Sequence, residues 1–296
     1  MTSCAKIIKE FLTSGKKLRR RWAPRQGSGA CSAGFAHCEG RGAHLLRRLF
    51  EPDNMNEIIS RLYKRKSVRV YADKQISSKD KTTIIDCAIQ APSAGNLSLY
   101  SIIDITDEKI KKALSISCDN QPFIEKAPML LLFAADYKKL YDVIQSKFPN
   151  VRKPDIGDLF LAYTDAVIAA QNAVVAADAL GIGSCYIGDI LENYETVKEL
   201  LNLKKYTMPA ALVCFGYPSE GQLKRAKPIR TPRDYIISKN TYEETPVSTT
   251  LKMLEEKHSD NAENIIKSVN TRKFSAPFAL EMSASVKKWI QNWLSD

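Results

Sequence analysis

Several things are scarce in this chain. Asp158–Leu180 is apolar almost all round, yet its uninterrupted runs, such as Ala166–Ala170, fall far short of the ~18 apolar residues of a membrane-crossing helix. Histidine occurs only three times, and no acid–base dyad or nucleophile with its base stands out. Seven cysteines form no paired CxxC arms, which removes the usual zinc frameworks. A dinucleotide-type GxGxxG is missing too. In "GIGSCYIGDI" Tyr186 stands where the third glycine would fall, and the segment runs from helix to strand rather than from strand to helix.

The formal charge of +11 suggests nucleic acid until it is divided along the chain, because residues 1–54 carry +7 of it. This basic head includes Arg19–Arg21, Cys4, Cys31, Cys38, His37 and His44, shows no helical or strand period, and lacks the apolar core of a secretory signal. It reads as a disordered segment, a targeting presequence or residues ahead of a true start at Met55, and its Cys/His spacing matches no zinc pattern. Cys87, Cys118, Cys185 and Cys214 lie singly and read as reduced, buried thiols of an intracellular, cytoplasmic protein.

From Met55 the pattern turns regular. Ile58, Ile59, Leu62 and Tyr63 recur at helical spacing, as do Ile84, Ile85, Ala88 and Ile89 after the candidate caps Ser77 and Ser78. Strand-like runs at Tyr100–Thr106, Met129–Asp136, Ser184–Gly188 and Pro209–Pro218 alternate with helical stretches near 107–117, 137–146, 158–180 and 192–202. Such interleaving argues α/β or α+β. Within Asp158–Leu180, the polar positions Thr164/Asp165, Gln171/Asn172 and Asp178 recur every seven residues, nearly two helical turns, and so form one narrow stripe on a core helix. A helix so widely apolar often lies in a subunit interface. After Arg233 the rhythm is lost, and Val286, Trp289, Ile290 and Trp293 give a stripe too thin to fold alone, as in an arm that packs on a body or a partner.

Four clusters could carry chemistry. "RKSVR" puts Arg65, Lys66, Ser67 and Arg69 within five residues at a helix end, where cations also suit the C-terminal dipole. "APSAGN" spends Pro92, Ser93, Ala94, Gly95 and Asn96 on one junction, more small and turn-forming residues than a helix stop needs. "GIGSCYIGDI" follows the long apolar helix, and Gly181 is its natural cap. "KRAKPIRTPRDYII" is a stiff basic strip with Lys224, Arg225, Lys227, Arg230 and Arg233, suited to phosphate or to plain solvent.

In this order, with "NQPFIEKAPMLLLFAAD" and "CFGYP" between them, the clusters resemble the nitroreductase family of FMN-dependent NAD(P)H oxidoreductases over roughly residues 55–238. The resemblance implies an α+β fold with a mixed or antiparallel central sheet flanked by helices, a long buried central helix, and a homodimer with FMN in its interface. It divides the chain into a head (1–54), an FMN domain (55–238) and a helical extension or dimer arm (239–296). By motif, Arg65, Lys66, Ser67 and Arg69 would hold phosphate, ribityl and ring edge, with Lys227 and Arg230 closing on the phosphate. Ile187 and Gly188 would line the ring, Asn120 and Gln121 would approach its polar edge, and Pro92, Ser93, Ala94 and Asn96 would arrive from the other subunit. The sequence departs from the family after "AGN", where Ser98, Leu99 and Tyr100 replace the usual Gln, and in the strip, where Lys227 is displaced by one residue.

The implied reaction takes hydride from NADH or NADPH through FMN to a small planar acceptor, a nitroaromatic or quinone. Tyr137, Tyr141 and Phe148 are candidate stacking residues for that acceptor. A specialised flavoenzyme on the same scaffold, such as a reductive dehalogenase, a flavin-fragmenting enzyme or an ene-type reductase, is the alternative. A basic nucleic-acid-binding protein is the alternative of another class, disfavoured because the body lacks aromatic–basic interleaving. No metal, membrane or nucleic acid is expected as a partner. Every implied cofactor contact lies at or after Arg65, so a chain beginning at Met55 is expected to purify yellow with the absorption bands of FMN; a colourless protein that takes up no added FMN would contradict the assignment.

Overall fold

The structure, a computed structural model, describes residues 56–258 and 260–295; the expectations for the basic head and for a start at Met55 lie outside these residues. Helices α1 (Glu57–Lys64) and α2 (Ser78–Ile89) come first, the latter capped by the Ser77 side chain on the Asp80 amide at 3.0 Å. Strand β1 (Tyr100–Asp104), α3 (Glu108–Ser117), the short α4 (Pro122–Glu125), β2 (Met129–Asp136) and α5 (Lys138–Lys147) follow. Then come α6 (Ile156–Ala179), β3 (Gly183–Ile187), α7 (Tyr194–Leu200), β4 (Thr207–Gly216) and α8 (Glu220–Lys224). Helices α9 (Val247–His258), α10 (Ala262–Val269) and α11 (Pro277–Leu294) complete the chain.

The four strands form one sheet in the order β1-β2-β4-β3, antiparallel throughout. Of the two sheet types expected, mixed or antiparallel, the second is found, giving an α+β fold. Residues of β2 are buried along its whole length. Leu130, Leu132 and Ala134 face one core with Leu114, Ile124, Trp289 and Trp293, while Met129, Leu131 and Phe133 face another with α2 and the alanines of α6. Burial on both faces explains why the strand reads as a continuous apolar run. Pro209 in central β4 is accommodated by a register shift opposite Phe133/Ala134, and the neighbouring Ala210 carbonyl accepts a bond from the Tyr163 hydroxyl at 3.2 Å.

Helix α6 is apolar all round but not buried all round. Ala166, Ala169, Ala170, Ala173 and Ala177 lie against the sheet, whereas Phe160, Leu161, Val167 and Ile168 keep exposed surface in the single chain. By length and composition it is the one described helix that could cross a membrane. Helix α11 docks on the body through Trp289 and Trp293, edge to face on Tyr194 (4.7 Å between centroids) and Tyr206 (5.8 Å). Cys118, Cys185 and Cys214 are buried, as expected; Cys87 is only half-buried, because it falls on the outer side of α2.

The chain leaving α1 is extended from Arg65 and crosses the edge of β3, with the Val68 amide bonded to the Ser184 carbonyl at 3.0 Å. Two glycines make room for it. A Cβ at Gly183 would sit 2.3 Å from Val68 Cγ2, and one at Gly216 would sit 2.4 Å from Tyr71 Cδ1. Gly183→Ala is therefore expected to destabilise the protein by ~1–3 kcal/mol through overpacking. Val68→Ala in the same chain should relieve it in part, as read from urea midpoints; a wild-type midpoint in the single variant would show that the crossing is not tightly packed.

Candidate cofactor site

Lys66, Ser67 and Arg69 meet the strip after α8 in one cleft of about 450 Å³, lined also by Gln222, Arg225, Ala226, Pro228 and Arg230, while Arg65 lies in the adjoining groove with Asp178. Four cations and no carboxylate line the cleft. Gln222, only 4% exposed, joins the two walls: its carbonyl accepts from the Arg69 amide at 3.4 Å and its amide donates to the Ser67 carbonyl at 3.2 Å. Lys66 Nζ donates to the carbonyls of Leu223 (2.7 Å) and Arg225, and Lys227 Nζ to that of Tyr63. These two lysines hold the walls together, while the arginines keep donors to spare. Arg65 has only a long contact from Nη2 to Ser184 Oγ at 3.5 Å, and its Nε is buried with no partner.

Burial first, then the neighbouring Arg230 and Arg65 charges, push the Lys227 amine below its ordinary value. Arg65 has the Asp178 carboxylate nearby, but the cleft of Lys66, Arg69, Arg225 and Arg230 has no carboxylate in its lining, and like charges held together in this way are a site for an anion. Such a cluster, with the unpartnered Arg65 Nε beside it, fits a phosphate monoester, which carries about −1.5 to −2 charges near neutrality.

The other expected contacts are placed less directly. Ile187 ends β3 with its side chain in the core, so only its backbone is available to a ligand; at Gly188 an added Cβ would meet nothing within 4 Å. Asn120 is exposed in a left-handed turn (φ 51°) after α3. The Gln121 side-chain amide is already engaged, donating to the Cys118 carbonyl at 2.8 Å and to Asp189 just past Gly188. Arg69 lies 5.8 Å from the centre of the Phe123 ring, which brings the polar-edge turn close to the basic cleft. Pro92, Ser93, Ala94 and Asn96 do not line that cleft within one chain; their loop is bonded to α6 instead.

The expected stacking trio does not form one wall. Tyr141 is buried in the core, edge to face on Tyr206 at 5.1 Å, Tyr137 is half-buried beside Asp158, and Phe148 is exposed. The buried thiols supply no nucleophile, since burial raises Cys185 and pushes Cys118 up to about 12.

A group with no signal in the sequence lies beside Gly188. Glu192 is 3% exposed and its Oε1 has no partner. Burial, then Asp189, Glu281 and Asp119, push its carboxyl up to about 7, with Lys273 acting in the opposite sense. Glu281 on α11 accepts from the Asn193 amide at 2.8 Å, and Ser285 Oγ accepts from the Tyr194 amide at 2.9 Å and donates to the Leu191 carbonyl at 2.7 Å. The last helix is thus fastened to the turn that follows Gly188.

The sequence and the fold recur among known proteins. The Nitroreductase family model matches residues 62–217. An FMN reductase (NADPH) of Bacillus subtilis is 30% identical over 190 residues, 64% of this chain and 75% of that protein. An oxygen-insensitive NADPH nitroreductase of Salmonella typhimurium is 31% identical over 189 residues, 64% and 76% of the two chains. Among solved structures, the NADPH:FMN oxidoreductase of Vibrio harveyi complexed with NAD+ superposes with a TM-score of 0.65 at 25% identity, covering 78% of this chain and 98% of that one. Nitroreductase A of Vibrio parahaemolyticus shares the fold, with a TM-score of 0.68 at 22% identity over 80% of this chain and 98% of that one. The chain belongs to the nitroreductase family.

Glu192 carries a pH dependence with a definite sign. Its carboxyl titrates at 4.5 when unperturbed and near 7 in the fold, so between these values the folded state holds more protons and its stability falls as pH rises. Glu192→Gln lacks this proton. Its urea midpoint relative to wild type should rise from pH 4.5 to 7 and level off above; a difference independent of pH would mean that Glu192 is solvated.

Proposed function

We propose that the protein is an FMN-dependent oxidoreductase that takes hydride from NADH or NADPH and delivers it to a small planar acceptor, a nitroaromatic or a quinone. The observation that carries this reading is the carboxylate-free cleft lined by Lys66, Arg69, Arg225 and Arg230, in a chain whose relatives include FMN reductases and an NADPH nitroreductase. Bound FMN would supply the hydride chemistry, so no protein nucleophile or general base is required.

The chain's own residues bind and orient. Arg65, Arg69 and Arg230 hold the phosphate, and Ser67 offers its hydroxyl in the same cleft. Lys66 and Lys227 brace the cleft walls through the backbone carbonyls they already bond. Backbone at Ile187–Gly188 flanks the ring, Asn120 and Gln121 face its polar edge, and Pro92, Ser93, Ala94 and Asn96 come from a second copy.

A homodimer is supported by the apolar surface that one chain leaves open. Ile58, Ile59, Leu62 and Tyr63 on α1 and Phe160 and Leu161 on α6 are all at least 44% exposed. The FMN domain then spans 55–238, with 239–296 as a helical extension whose last helix packs on the same body, and the free thiols support a cytoplasmic location.

Charge-assisted hydrogen bonds to phosphate are worth ~1.5–3 kcal/mol each. Arg65→Ala or Arg69→Ala should therefore weaken FMN ~10- to 150-fold in a fluorescence titration. Replacing Arg19–Arg21 should change nothing, and riboflavin, lacking the phosphate, should bind poorly to wild type and respond little to either substitution. Equal FMN affinity in every variant would reduce the cleft to a solvated helix end. Sedimentation of the yellow protein should show a dimer; a flavin-bearing monomer would contradict the shared site.

A further inference from the structure

Asp165 is a carboxylate in the middle of the longest helix, 3% exposed, and among the described residues it pairs with no cation. Its partners are two backbone amides: Oδ1 accepts from Ala94 at 2.9 Å and Oδ2 from Leu99 at 3.3 Å. Tyr100 lies close enough that burial, and then the Asp165 charge, raise its phenol. The two amides stand at either end of a short loop whose four intervening residues, Gly95 to Ser98, are all exposed. Three of these four are left-handed: Gly95 (φ 57°), Asn96 (φ 57°) and Ser98 (φ 50°). Ser93 Oγ accepts from the Ser98 amide at 3.0 Å across the same loop.

Burying a carboxylate is costly unless hydrogen bonds replace its water. Here that cost fixes the two ends of a segment whose middle residues are all exposed. Asn and Ser in left-handed conformations add strain that a plain helix-to-strand connection would avoid. A surface loop held this firmly in an unfavoured shape is built to be presented to something outside its own core.

We propose that Asp165 is the positioning residue of the flavin loop, setting Pro92–Asn96 in advance into the backbone shape that lies against the FMN bound mainly by the partner. The inference rests on the FMN reading above. Asp165 touches neither cofactor nor substrate and acts only through the amides of Ala94 and Leu99. Because the shape is set beforehand, those amides are protected before any ligand arrives.

The test uses the full-length protein. In the wild type stripped of FMN, amide hydrogen exchange at Ala94 and Leu99 should be as slow as in the FMN-loaded protein. Amides that exchange freely until FMN is added would overturn the proposal without any variant having to fold. In Asp165→Asn, which keeps one acceptor oxygen, both amides should exchange faster, the visible-band circular dichroism of the bound flavin should change, and FMN should bind at least ~10-fold more weakly, as for loss of one charge-assisted bond. Asp165→Asn that binds FMN like wild type with an unchanged flavin spectrum, while Arg69→Ala loses FMN, would overturn the positioning role and leave the FMN reading intact. A wild type that binds no FMN would overturn both.

Discussion

Helix α6 lies between the sheet and α2 and has few polar atoms to use, so where it places them governs the rest of the fold. Asp165 holds the Ala94–Leu99 loop. Nearly two turns on, Gln171 accepts from the Tyr186 hydroxyl at 3.2 Å and Asn172 donates to the Cys87 carbonyl at 3.3 Å. Near the C-terminal end, Arg61 donates to the Asp178 carbonyl at 2.7 Å with the Asp178 carboxylate 3.9 Å away. Four segments are thereby tied to one rigid rod: the end of α1, the end of α2, the loop after it, and β3. Each leads within a few residues to a proposed flavin contact, at Arg65, at Pro92–Asn96 or at Ile187. Buried hydrogen bonds are costly to leave unmade, so a stripe with few alternative partners specifies register more than it adds stability.

The second constraint is steric and acts at the other end of these segments. Gly183 and Gly216 let the strip from Lys66 to Tyr71 lie on the edge of β3 and across the end of β4, and Gln222 and the two lysines draw the Arg225–Arg230 strip onto it. The outcome is a cleft with uncompensated positive charge. In an isolated chain that charge is unfavourable; at neighbouring Lys227, burial first and then the Arg230 and Arg65 charges lower the amine. The same electrostatics that a phosphate relieves thus makes FMN binding a stabilising event for the chain.

Much of this was legible in the residues. β2 and β4 stood out as continuous apolar runs because they are central and buried on both faces, the edge strands β1 and β3 as short runs with Tyr and Ile between turn residues, and the seven-residue period of polar positions located the stripe on α6. What each polar residue would bond could not be read, because its partners are 71, 15, 85 and 117 positions away. Gln222 and Glu192 carried no signal either: one clamps two distant carbonyl and amide groups, and the other is perturbed by acids from three separate segments. Tyr141 and the Ile187 side chain illustrate the converse. An aromatic ring or an isoleucine suits a pocket wall and a core equally well, and only packing tells which one it enters.

Flavin binding as proposed requires the Arg65–Arg69 strip and the Arg230 strip to converge on a phosphate, with a loop from a second copy at the ring. A crystal structure of the FMN-loaded protein measures it directly. The expected result is a phosphate within hydrogen-bond distance of Arg65 and Arg230, with Pro92–Asn96 of the second copy against the isoalloxazine and the loop still bonded to its own Asp165. Flavin bound elsewhere, or a ring enclosed by residues of one chain alone, would contradict it.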